Sequence, residues 1–156
     1  MATADVNTIK LDSVQGVEVT GVAGAAGILP GMLVRPTAVS GVRPTFAVHN
    51  VAGGNGVLFL VLENRYYGDA TSGGGVATAW TNGSDMEVEI PQPGSLRAFL
   101  LKASENVAVG DLLVSGGDGT FVKATAFSSG NPFRYYAQVL EASNVGTAQL
   151  IRARVL

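Results

Sequence analysis

Residues 94–124, GSLRAFLLKASENVAVGDLLVSGGDGTFVKA, decide the fold. Residues 96–103 form an apolar run compatible with a strand, and Gly110-Asp111 restarts the chain into Leu112-Leu113-Val114. Gly116-Gly117-Asp118-Gly119 supplies the positive-φ positions that a tight hairpin needs before Thr120-Phe121-Val122 returns. The stretch reads as strand, turn, strand, hairpin, strand, and it carries no catalytic constellation. It is scaffold, so function has to be sought around it.

On its N-terminal side the same grammar continues. Residues 85–90, DMEVEI, alternate acidic and apolar side chains as a half-exposed strand does, and Pro91-Gln92-Pro93-Gly94 stops them. Residues 57–62, VLFLVL, are apolar without alternation, which predicts a strand buried on both faces at the centre of the core. Met32-Leu33-Val34 and Thr45-Phe46-Ala47-Val48 read as further strands, separated by Pro36, Gly41 and Pro44. Residues 1–20 are polar and β-branched without helical periodicity and are expected as an extended N-terminal arm, lying on a partner subunit, or as an edge strand. On the C-terminal side, residues 135–140 and 148–155 complete the set. Short strands every ~8–12 residues with Gly-rich turns predict an all-β chain, a compact β-barrel or β-sandwich over residues 21–156.

A weak internal repeat runs through these elements. Residues 28–34, ILPGMLV, resemble 108–114, AVGDLLV, placing Gly110 79 residues after Gly31; Val-Leu-Glu at 61–63 recurs at 139–141. The offsets suggest two related half-units, 28–67 and 107–145, with the acidic strand 85–90 between them.

The totals bound the function. At 156 residues the chain suffices for one domain with a sizeable core. Charged residues are 14%, below the roughly 25% of ordinary domains, so the surface must be largely neutral or covered in an assembly. A net charge of -2 argues against nucleic-acid partners and against attraction to a membrane surface. There is no cysteine, hence no disulfide and no thiolate metal site. Residues 19–34 are uncharged but interrupted by Gly and Pro and too short to span a bilayer, and no signal-peptide n-region precedes them, so an intracellularly made, soluble protein is expected.

Candidate chemistry is sparse. The single His49 has no second imidazole or thiolate with which to share a metal. It pairs on paper with Ser40 or Ser115 and with Asp111 or Asp118 as a hydrolytic triad, yet no nucleophile-elbow pattern surrounds either serine. Asp85, Glu87 and Glu89 lie on one strand face at ~6–7 Å intervals, too far apart to hold one calcium ion without help from a second element. That face reads as an exposed acidic surface, protecting an edge or meeting an Arg-bearing partner. Asp111 and Asp118 read as turn residues. No catalytic residue, cofactor or metal ligand is assigned. Arg65-Tyr66-Tyr67 and Arg134-Tyr135-Tyr136 repeat one tripeptide, and Tyr and Arg are enriched at protein interfaces. With Trp80, Glu87 and Glu89, the residues Arg65, Tyr66, Tyr67, Arg134 and Tyr135 are the candidate contacts for a subunit or partner, against the plainer reading of aromatics covering strand ends.

Together, the turn entering residues 29–34, the Val-Leu-Glu strand end before the Gly-rich loop 61–75, the acidic strand closed by Pro91-Gln92-Pro93-Gly94, the Val109-Gly110-Asp111-Leu112-Leu113 turn and Gly117-Asp118-Gly119 resemble the capsid decoration, or cement, proteins of tailed bacteriophages. The resemblance covers nearly everything after residue 28 and rests on turns and strand ends. It implies a small all-β protein, made in the host cytoplasm, that binds the outer surface of the phage head, commonly as a homotrimer. Its partner would be the major capsid protein, whose subunits it would brace against internal DNA pressure without catalysis or cofactor. The alternative is a virion-surface module for receptor or carbohydrate, in which an exposed Trp80, Tyr66 or Tyr67 would stack on sugar.

Overall fold

A computed structural model describes residues 8–54, 56–63, 75–125, 135–144 and 146–156. Among them the chain is all-β: ten of its strands close two small five-stranded barrels. The first comprises β1 (Val17–Ala23), β2 (Leu33–Ser40), β3 (Arg43–Val48), β4 (Phe59–Val61) and β5 (Asp85–Ile90). The second is built from β6 (Leu96–Leu101), β8 (Leu112–Ser115), β9 (Phe121–Lys123), β10 (Ala137–Val139) and β12 (Gln149–Val155). The short strands β7 (Asn106–Val107) and β11 (Ser143–Asn144) form a separate two-stranded ribbon.

The barrels share one wiring. Around the first the order is β1-β3-β2-β4-β5, and around the second the corresponding order is β6-β9-β8-β10-β12. Among the described residues the only parallel pairs are β1 with β3 and β6 with β9. Registers agree as well: Ala23 opposes Phe46 as Leu101 opposes Phe121, Leu33 opposes Leu60 as Leu112 opposes Gln138, and Leu60 opposes Glu89 as Gln138 opposes Arg154. The turns repeat in the same detail. Gly31 N donates to Val61 O at 2.9 Å, and Gly110 N donates to Val139 O at 2.9 Å. His49 N donates to Leu33 O at 3.0 Å, and Ala124 N donates to Leu112 O at 2.8 Å. Gly31 and Gly110 have φ of 80° and 93°, a region a side chain resists, which explains why this turn kept its glycine in both places.

The pairing recurrence runs over Val17–Ile90 and Leu96–Val155, not over 28–67 and 107–145. The acidic strand β5 closes the first barrel as β12 closes the second. Sequence similarity survives only where glycine turns and strand ends constrain it, so it marks the middle of each unit and not its limits.

Alternating side chains knit the barrels together. Val34 and Val61 point into the first core with Met86, Val88, Trp80 and Phe46. Their neighbours Leu33, Leu60 and Leu62 point the other way, into the cluster that holds Phe99, Phe121 and Ile151 of the second barrel. In return Leu100 packs in the first core. The apolar run 57–62 is therefore buried on both faces at Leu58, Leu60, Val61 and Leu62, each core belonging to a different barrel. Backbone bonds close the seam: Leu33 N to Gly119 O at 2.8 Å, Leu100 N to Gly31 O at 2.9 Å and Gly53 N to Ser115 O at 2.8 Å.

Candidate functional site

The N-terminal segment is the first place where the two barrels differ. Residues 8–16 lie along β6 of their own chain, with Ala98 N donating to Ile9 O at 2.9 Å and Leu11 N to Leu96 O at 3.2 Å. The parallel partner β9 meets β6 only at Leu101, leaving the first half of β6 an open edge that this strap fills. Ile9 is wholly buried in the second core. From Thr8 onward the expected arm thus serves as an intramolecular strap. Residues 17–20, expected within the same arm or edge strand, belong to β1 (Val17–Ala23), a barrel strand flanked by β3 and β5.

Beneath the strap lies a charge network. Arg97 and Glu89 are both fully buried and pair through Nε to Oε2 at 2.7 Å and Nη2 to Oε1 at 2.8 Å. Arg97 Nη1 also reaches Asp12 Oδ1 at 2.7 Å, and Nη2 donates to Val14 O at 2.5 Å. Gly16 N donates to Glu89 Oε1 at 2.9 Å, and Leu96 N to Asp12 Oδ2 at 2.7 Å. Two strands of different barrels and the strap are tied at one guanidinium, the side chain whose planar fork suits several acceptors at once. Burial pulls the Arg97 pKa down, but the bonds from Glu89 and Asp12 outweigh it and raise it. Burial likewise pushes Asp12 up, and the Leu96 amide with Arg97 holds it below the ordinary carboxylate value. The expected acidic face is therefore split. Asp85 is exposed and pairs with Arg43 at 2.5 Å, Glu87 is half-buried, and Glu89 is an internal ion-pair partner, because β5 turns its last carboxylate into the junction with β6. A lone Arg in the run LRAFLL was the signal for this network.

His49 and Ser115 form a second seam contact, Nδ1 to Oγ at 2.9 Å, both buried where the β8–β9 hairpin meets the first barrel. Among the described residues no triad is assembled around them. Asp111 bonds Lys123 at 2.8 Å, and Asp118 bonds Thr120 and lies 3.1 Å from Lys102. Burial, aided by the charge of Arg35, lowers the His49 pKa. Among the described residues no three His, Asp or Glu side chains are placed to share a metal ion, and no helix is long and apolar enough to cross a membrane.

Trp80 is 2% exposed and sits in the first core, its Nε1 donating to Leu62 O at 3.3 Å. It therefore closes its own barrel rather than presenting a face to sugar or to a neighbour. Tyr135 is half-buried at a cleft of about 180 Å³ between the barrels, lined also by Val57, Ile90, Pro93 and Leu156. Arg65, Tyr66, Tyr67 and Arg134 lie outside the described residues.

The most exposed apolar feature was missed by the sequence reading. The β2–β3 hairpin projects from the first barrel with Val39 72% and Val42 97% exposed. Its counterpart in the second barrel, β8–β9, folds against the first barrel, where Gly119 N donates to His49 O at 3.1 Å. Sequence distinguishes the two hairpins by length and composition: the free one is four residues longer between the equivalent pairs Leu33–Phe46 and Leu112–Phe121 and carries Val39, Val42 and Pro44, whereas the docked one is short and glycine-rich.

No protein-family model matches the chain, and no curated protein matches it. Among solved structures it is similar to the head fiber gp8.5 N base of bacteriophage phi29, at 16% identity with a TM-score of 0.57, covering 90% of this chain and 93% of that one. At this identity the likeness establishes a shared all-β fold over nearly the whole chain.

Proposed function

We propose that the chain is a structural protein of a phage virion that binds the outer surface of the head and bridges neighbouring major capsid subunits. The observation that carries this reading is the fold shared with a phage head fiber base over 90% of the chain. The residue-level reading of low charge supports it, as does a rigid seam whose ionisable groups are committed to one another. A clamp has to transmit load without yielding, and two barrels locked by a shared core, backbone bonds and a buried Arg network suit that task. Bridging several subunits through modest contacts raises the barrier to their separation by multivalency. The molecule acts without catalysis or cofactor, and its working form is a homotrimer. The carbohydrate alternative loses Trp80, one of its three stacking candidates, to the first core. Incubating the purified chain with expanded, undecorated heads tests the proposal through binding stoichiometry and the temperature at which heads release DNA. Saturable binding with a higher rupture temperature is expected; absence of binding, or binding without added stability, would refute it.

A further inference from the structure

The β2–β3 hairpin is longer than its barrel needs. Between equivalent positions, Leu33 to Phe46 spans four residues more than Leu112 to Phe121 in the other barrel. Its turn is the two-residue loop Gly41-Val42 between the paired Ser40 and Arg43, and Gly41 takes a φ of 66°, a region that glycine enters freely. Turn chemistry favours a small or polar residue next, yet Val42 follows, 97% exposed, and Val39 nearby is 72% exposed. Single exposed valines are ordinary, but two on one extension of the barrel are apolar area with no use inside the chain. The hairpin is also blunted against pairing with a foreign strand. Pro36 and Pro44 lack N–H groups, and the register shifts between Pro36 and Ala38. Contact therefore falls to the side chains of the tip.

Charge is segregated in the same place. From residue 19 to residue 62 the sequence holds no Asp or Glu, although the chain's net charge is -2. Arg43 meets Asp85 of β5, while Arg35, exposed on β2, makes no ion pair among the described residues. The hairpin is apolar at its tip and positive along its length, and a matching surface is an apolar hollow bordered by carboxylates.

We propose that the β2–β3 hairpin is the element that seats on the head, its valine tip entering an apolar hollow of the major capsid protein whose border carries a carboxylate for Arg35. The inference rests on the capsid-binding reading above and names the surface that performs it. A second copy of this chain fits less well, because its exposed Glu18, Asp85 and Asp118 are already paired with Lys10, Arg43 and Lys102. An anionic bilayer fits less well too, since segments that lie on membranes bring aromatic or leucine side chains and many cations, and this tip offers two valines.

Undecorated heads are titrated with wild type, with the double variant Val39→Asp and Val42→Asp, and with Val109→Asp, the same change at a 67% exposed valine of the second barrel. The tip variant should lose at least tenfold in affinity at an unchanged melting temperature, and Val109→Asp should bind as wild type does. Val39→Thr with Val42→Thr, nearly isosteric and so safe for folding, should lose several-fold. Arg35→Gln should bind several-fold more weakly in low salt and flatten the salt dependence of affinity. Wild-type binding that the tip variant retains, or an equal loss for Val109→Asp, overturns the inference and leaves head binding standing. Wild type that does not bind heads refutes the capsid reading and the hairpin's role with it. Binding to phosphatidylglycerol vesicles that the tip variant abolishes, with no loss on heads, would assign the tip to a bilayer and also overturns the inference.

Discussion

The two barrels have the same strand order and registers, yet they are dressed differently. In the second, the open edge of β6 is filled by the strap and the β8–β9 hairpin is folded into the seam. In the first, the equivalent stretch of β1 leaves Val17 62% exposed and the β2–β3 hairpin projects. The difference teaches that backbone pairing fixes the barrel, whereas a few side chains decide which edges and tips are closed. The second barrel is the anchored member; in the first, among the described residues, the start of β1 and the hairpin tip stay exposed. Substitutions at equivalent positions of the barrels measure how deep that asymmetry goes.

The largest effect is expected where the asymmetry is pinned. Arg97→Met leaves Glu89 buried without its cation and releases Asp12 and Val14 of the strap. Removing one partner of a buried pair costs about 3–5 kcal/mol, and the loss should appear as a lower denaturant midpoint. Arg97→Met with Glu89→Leu should recover much of it, since no charge is then stranded. At the position equivalent to Arg97 the first barrel has Val19, half-buried, and Val19→Ala should cost far less. Equal losses at both positions would mean that the strap and its network contribute nothing particular.

Next comes the seam itself. Leu33→Ala opens a cavity in a core shared by both barrels and should cost about 2–5 kcal/mol. Leu112→Ala, its register equivalent on the outer face, should cost about 1 kcal/mol or less in the isolated chain. Paired chemical-denaturation curves decide this. Comparable losses would show that the outer face is already packed within one molecule.

Much of this architecture is legible in the sequence because glycine turns and apolar runs are local signals. The stretch 94–124 contains β6, β7, β8, β9 and their turns almost as read, and the unalternating run 57–62 foretells a strand with two cores. What stays hidden is long-range. Nothing local to Asp12, Glu89 and Arg97 says that residues 85 apart in the chain share one guanidinium. A polar N-terminus looks the same whether it floats or fills an edge. Trp80 reads as interface material because aromatic residues serve surfaces and cores alike. The repeat is visible only at Gly31/Gly110 and the following strand ends, because these positions carry a backbone constraint while the rest of each barrel needs only an apolar side chain of suitable size.

A smaller effect follows from pH. His49 is buried against Ser115, and its pKa lies below the ordinary value of 6.5. The folded chain therefore binds this proton less readily than the unfolded chain does. Its contribution is fully present above about pH 6.5 and declines as pH falls from there toward the lowered folded value, below which the loss is complete. Asp12 behaves likewise but in a more acidic window, being held below its ordinary value of 3.8. Melting temperature measured across both windows should fall in two stages, and His49→Asn should remove the upper stage alone. Ala124 stands at the equivalent place in the second barrel and cannot titrate, so an upper stage that survives His49→Asn would contradict the assignment.

The smallest effect concerns the two hairpin tips. Thr120 is 7% exposed beneath the docked tip, where its backbone amide bonds Asp118 at 3.1 Å and its carbonyl accepts from Gly116 N at 2.8 Å. Val42 at the free tip is 97% exposed and has little to lose within the chain. Val42→Ser should leave the unfolding free energy within about 0.5 kcal/mol of wild type, whereas Thr120→Val should cost measurably more, because it removes the bond that the nearly buried Thr120 hydroxyl donates to Asp118. A large loss for Val42→Ser would place that valine in an internal contact, and the two tips would then differ in sequence but not in role.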